Sequence, residues 1–368
     1  MSNTIFPIHS INRNNIHWED YLAVQTPIEK IGSIYFKRED KFAPLGYGGI
    51  NGSKLRQCIW LIHEYTQNSQ RPLGIISGTS VKSPQLPMGS AVAEHYGLRS
   101  IHIIGATNPQ SAIKHPNVEL ATWFGALFNT QTKVGYNPVL QRTVQKYLKE
   151  DKKLKDYFYL EYGITLDHKS HPGERVENFH RIGAEQLRVF PDDVENLIIP
   201  AGSCNSTVSI LYGIAKYKPK NLKNIYLIGI GPNRIKFTEE RLKIIQEQSG
   251  IDTNIFARNF LHNPEEEKFY NQQNPHADYK YNLFHFDLHT TKYVNYQDEI
   301  KMSYEGLDFH PTYESKVVKY TKEFLPSLWE GNTLFWIVGS KPSKESMKSV
   351  LLEQLGEFPK KITEYISR

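Results

Sequence analysis

Short, uninterrupted apolar runs recur along the chain, each closing on or beside a glycine: "LGIISG" (73–78), "SIHIIGA" (100–106), "NLIIPAG" (196–202), "NIYLIGIG" (224–231) and "TLFWIVGS" (333–340). Runs of this length, with no polar residue alternating through them, predict strands buried on both faces. Between them lie stretches of helical periodicity: "GSAVAEHYG" (89–97), "PVLQRTVQKYLKEDKK" (138–153), "VENFHRIGAEQLRVF" (176–190), "STVSILYGIAKY" (206–217) and "TEERLKIIQEQSG" (238–250). Strand alternating with helix predicts an α/β protein with mostly parallel, twisted sheets covered on both faces. Residues 255–300, rich in Asn, His, Tyr and Phe, fit neither pattern, and no internal repeat is visible.

A length of 368 residues exceeds the ~100–200 expected of one domain, which predicts two lobes. With 39% hydrophobic and 23% charged residues the chain can bury a sizeable core. The net charge of +5 does not mark a nucleic-acid binder, because the basic residues are scattered; "KEDKKLKD" (149–156) mixes them with acids as a solvated helix surface does. Two cysteines, Cys58 and Cys204, argue against a disulfide scaffold. The start "MSNTIFPIHSINRNN" carries no apolar signal region, and no apolar run approaches the ~20 residues of a membrane span. The expectation is a soluble, cytoplasmic protein with no membrane partner.

Open parallel sheets bind ligands beyond the carboxyl ends of their strands. After the third strand, "PAGSCNSTVSILYGI" (200–214) opens a helix with Gly202, Ser203, Cys204, Asn205, Ser206 and Thr207, small or turn-forming residues whose amides can converge on an anion. No Walker lysine follows and the spacing is not G-x-G-x-x-G, so a monophosphate suits the loop better than a nucleotide triphosphate or dinucleotide. A plain strand-to-helix turn with a capping hydroxyl is the competing reading. Elsewhere, "GYGGINGSKLRQCIWLI" (46–62) sets Lys54 behind a glycine cluster and ahead of an apolar helix. An amine nucleophile together with a phosphate cradle suggests pyridoxal 5'-phosphate.

At this point the sequence resembles a known family. "KREDKFAPLGYGGINGSKLRQ" (37–57), "SVKSPQLPMGSAVAEHYGL" (80–98), "EYGITLDHKSHPG" (161–173), "GSCNST" (202–207) and "EGLDFHPTYESK" (305–316) are similar, in order, to segments of the aminocyclopropane-carboxylate deaminase and D-cysteine desulfhydrase family. The match spans roughly residues 30 to 340, with three extra residues between the Gly pair and Lys54. The resemblance implies a two-lobe, fold-type II (tryptophan synthase β-like) architecture. A small lobe, 56–174, would be inserted into a large cofactor-binding lobe made from 1–55 and 175–368. It also implies pyridoxal 5'-phosphate as cofactor, with Lys54 as its internal-aldimine lysine, lyase, deaminase or decarboxylase chemistry at the α- or β-carbon of an amino acid, and a homodimer as the assembly to look for.

Residue by residue, the resemblance implies that Ser83 faces the substrate carboxylate, that Glu314 holds the pyridine nitrogen, and that Tyr313 and Tyr296 belong to the active site. The family's Asn after the serine is Pro84 here, which removes a contact to the cofactor and predicts a reorganised pocket. The "SPQ" variant, the wide "GGINGSK" loop and the aromatic 255–300 stretch also resemble divergent bacteriophage proteins of this cofactor class, some associated with hypermodified thymine in DNA. The substrate is then a free amino acid or one attached to nucleic acid; a non-catalytic binding module is a third reading. His262, His276, His285 and His289 are not expected to form a metal site, although "LFHFDLH" alternates as a strand that would put the last two on one face.

Overall fold

The computed structural model describes residues 22–45, 50–67, 72–105, 108–132, 135–166, 175–261, 279–295, 298–339, 361 and 363–365. They fall into two compact units. One holds Phe42–His171 and the C-terminal strand; the other combines Glu19–Lys41 with Pro172–Ser340.

In chain order, β1 (Ile28–Ile31) and β2 (Ile34–Arg38) form an antiparallel hairpin at the edge of the second unit's sheet. The first unit follows. It contains α1 (Ser53–Gln67), β3 (Gly74–Gly78), α2 (Gln85–His95), β4 (Arg99–Ile103), α3 (Pro116–Trp123), β5 (Leu127–Asn129), α4 (Asn137–Glu150) and β6 (Tyr157–Tyr159). The chain then returns to the second unit with α5 (Arg175–Ala184), β7 (Asn196–Ala201), α6 (Asn205–Tyr217), β8 (Asn224–Gly229), α7 (Ile235–Ser249), β9 (Phe256–Leu261) and β10 (Tyr281–Asp287). The two-residue strands β11 (Ser303–Tyr304) and β12 (Leu307–Asp308), helix α8 (Glu314–Phe324) and β13 (Thr333–Ile337) complete it, and β14 (Thr363–Glu364) pairs in parallel with β5 of the first unit.

The second unit's sheet has the order β1-β2-β13-β7-β8-β10-β9 and is parallel apart from the β1–β2 hairpin. The first unit's sheet, β14-β5-β4-β3-β6, is parallel throughout. All five apolar runs are strands, and residues inside β3, β7, β8 and β13 are buried on both faces, as parallel sheets between helices require. Lys54 and the strand at 363–364 lie in the same unit as Phe42–His171. No helix among the described residues is long and apolar enough to cross a membrane.

The strand expected over "LFHFDLH" stops at Asp287. Its carboxylate accepts from the amides of His289 and Thr290 and from the Thr290 hydroxyl, closing a turn that takes His289 out of the strand (3.0, 2.9 and 2.8 Å). Among the described residues no three His, Cys, Asp or Glu side chains converge as a ligand set, and His262 and His276 lie outside those residues.

Candidate active site

In the first unit Lys54 is the second residue of α1 and half-buried. Gly52 sets the helix start. Its φ of +99° is a conformation that side-chain-bearing residues rarely adopt, and its amide donates to the Phe42 carbonyl (3.0 Å). The Arg56 guanidinium, itself buried, lies 3.7 Å from the centre of the Phe42 ring, so backbone and side chain together fix the turn ahead of the lysine. Gly46, Gly48 and Gly49 lie outside the described residues.

Ser83 follows β3 and is buried. Its hydroxyl accepts from the Gln85 amide (3.2 Å) and its carbonyl from the Leu86 amide, so it does cap α2. Pro84, at φ −65° and ψ −10°, is already helical and stands where the missing N–H has no helical partner to lose.

Two neighbours escaped the sequence reading. The Gln85 side chain, fully buried, accepts from the Gly163 amide (2.8 Å) and donates to the carbonyls of Leu160 (3.2 Å) and Glu161 (2.8 Å), tying the "EYG" turn to the start of α2. The glutamine of "SPQ" was the available signal. Thr79, also fully buried, has a hydroxyl with no hydrogen-bond partner among the described residues.

In the second unit the loop Gly202–Thr207 joins β7 to α6, a helix of 13 residues. A Cβ added at Gly202 would meet nothing within 4 Å, so open space lies against the backbone at the helix's positive end. Cys204 is buried with a left-handed backbone, φ +67°, at the cap position. Non-glycine residues held there cost on the order of 1–3 kcal/mol and concentrate at binding loops. Ser203, Asn205 and Thr207 are buried, while Gly202 and Ser206 are half-buried.

Glu314 is the first residue of α8 and completely buried. Its Oε1 accepts from the amides of Val338 (3.0 Å) and Gly339 (3.4 Å), just past the carboxyl end of β13, which pairs with β7. Oε2 is buried with no hydrogen-bond partner among the described residues. Burial pushes the carboxyl up to about 8; its amide partners pull it back and the nearby Asp40 charge raises it further. Asp40 is itself gripped by Arg38 through two hydrogen bonds (2.9 and 2.7 Å), while Arg38 also reaches Glu29 (2.6 Å). Tyr313 is half-buried, its ring 4.7 Å from that of His310, a residue the sequence reading had passed over. Tyr296 lies outside the described residues.

The second unit thus brings the loop Gly202–Thr207 and a buried carboxyl, whose Oε2 has no hydrogen-bond partner among the described residues, to the ends of neighbouring parallel strands. Lys54 and Ser83 belong to the first unit.

No known family model matches the sequence. It is 43% identical to the "O-seryl-dTMP PLP-dependent decarboxylase" of Salmonella phage ViI, over 95% of this chain and 89% of that protein. Among solved structures, an aminocyclopropane-carboxylate (ACC) deaminase homologue superposes with a TM-score of 0.58 at 14% identity, covering 90% of this chain and 94% of its own. Cysteine synthase from Entamoeba histolytica does so at 0.50 and 16%, covering 91% and 90%. These distant likenesses speak to the fold alone.

Proposed function

The chain belongs to the fold-type II pyridoxal-phosphate enzymes, in the family of the phage ViI decarboxylase, and from that premise we propose that it removes the α-carboxylate of an amino acid carried on a thymine nucleotide. The observation carrying this reading is 43% identity, sustained over 95% of the chain, to a relative named for that reaction.

The residues present fit the cofactor. Amides of Gly202–Thr207 would hold its phosphate in the space beside Gly202, and Oε2 of Glu314, its partner position open, would meet the ring nitrogen. When bound, pyridoxal phosphate supplies an electron sink for the pair left on Cα. Lys54 is assigned as its covalent anchor. Glu314, whose carboxyl keeps its proton near neutral pH, holds that proton at Oε2 and shares it with the nitrogen. Ser83 and Thr79 offer hydroxyls, which orient a carboxylate while stabilising its ground-state charge less than a cation would. The bond from Cα to the carboxylate would break with its electron pair left on the Cα side, carbon dioxide would leave, and the protonated Lys54 amine would supply the proton that Cα takes up.

The test is mass spectrometry of an oligonucleotide bearing O-seryl-thymidine after incubation with the cofactor-loaded protein. The expected product is lighter by one carbon dioxide, and free serine stays unchanged. Preferential turnover of free serine would defeat the reading.

A further inference from the structure

Behind the phosphate loop, wholly within the second unit, is a pocket of about 160 Å³. Its floor is one face of the sheet, with Leu227 of β8 and Leu283 and His285 of β10; helix α7 roofs it, and Cys204 stands in its wall. The volume is below the ~300–1,000 Å³ that encloses a whole small ligand. One ring fits, and anything attached to that ring stays at the mouth.

The mouth is basic. Arg234 caps the 15-residue α7, its guanidinium 4.4 Å from the Phe237 ring centre, with a buried Nε that has no hydrogen-bond partner among the described residues. Arg258 lies on the same rim but is paired with Glu239 (3.1 Å). Among the described residues of the rim, one carboxylate against two guanidiniums leaves a surplus positive charge, to which the amino end of α7 adds. His285 is neutral at pH 7, because burial lowers it to about 4, so it offers hydrogen bonding without charge.

We propose that this pocket is a nucleotide subsite: its apolar floor takes one pyrimidine ring of the nucleic acid that carries the substrate amino acid, and Arg234 contacts the phosphodiester attached to it. The proposal rests on the functional reading above. It adds a site for the nucleic acid that shares only Cys204 with the groups proposed to meet the cofactor. Guanidinium is the side chain suited to phosphate, through two parallel hydrogen bonds.

The experiment uses the cofactor-loaded protein, with thymidine 5'-monophosphate and a single-stranded oligothymidine as probes, titrated at several salt concentrations. Arg234→Gln should weaken both probes about tenfold, the equivalent of ~1.4 kcal/mol. It should also lower the slope of log K against log salt by about 0.7, one single-strand phosphate contact. Ile235→Trp, which fills the pocket beside the arginine, should weaken thymidine monophosphate and leave the salt slope alone. Both variants should keep the cofactor's absorbance. Unchanged affinity and slope in Arg234→Gln overturn the subsite; should that variant not fold, unchanged affinity in Ile235→Trp overturns it alone. If seryl-oligonucleotide is decarboxylated while Arg234 proves irrelevant, only the subsite falls. If Arg234 governs binding but no carbon dioxide is lost, the decarboxylase reading falls and the subsite stands.

Discussion

Glu314 divides its two oxygens between different tasks. Oε1 accepts from the amides of Val338 and Gly339, which hold the side chain in place, and Oε2 is buried with no hydrogen-bond partner among the described residues. Glu314→Gln keeps the shape but loses the proton that Oε2 would share with the ring nitrogen. A hydrogen bond to a charged group contributes ~1.5–3 kcal/mol, so turnover should fall roughly 10- to 150-fold with cofactor content nearly unchanged, read by steady-state rate beside absorbance. Lys54→Ala should abolish covalent fixation of the cofactor by borohydride. Label found on another lysine in the parent protein would remove Lys54 from its assigned role.

At the level of elements, most of the sheet was legible because strands buried on both faces leave uninterrupted apolar runs, and β7, β8 and β13 each do so. What was not legible has particular causes. β10 alternates past its own end, and only the Asp287 side chain, acting through a turn, shows where pairing stops. The rim of the pocket behind the loop carries no motif: Arg234 reads as an ordinary helix-start residue until α7 is laid over the sheet. The "KRED" stretch carried the family resemblance, yet Lys37 is buried and donates to the Thr26 carbonyl (2.8 Å), so part of that motif braces the hairpin and its neighbours. Gly52 was visible as a glycine but not as a left-handed one. Gly52→Ala must strain the entry to α1, costing more than ~1 kcal/mol, and should lower the thermal midpoint and the fraction of cofactor retained.

Across the whole molecule, buried titratable groups set opposing slopes of stability with pH. His102 and His180 are held down to about 3 and His285 to about 4, each chiefly by burial. The unfolded chain therefore binds more protons than the folded one below about 6.5, and stability rises with pH up to there. Glu314 acts in the other direction. Its folded value of about 8 lies above the unfolded value of 4.5, so its contribution is whole below 4.5 and is lost as pH rises through 8. Protein freed of cofactor should be most resistant to urea near pH 6–7, and Glu314→Gln should flatten the alkaline side. A monotonic rise through pH 8.5 would contradict the burial of that carboxyl. The amide of Gly163 is held by the Gln85 side chain from a helix 78 residues away in sequence. Its exchange with deuterated solvent should then report the opening of that single tie, separately from global unfolding. In Gln85→Ala the Gly163 amide should exchange far faster while the amides within α2 keep their protection, so that a local clock for this turn runs independently of the stability of the unit around it.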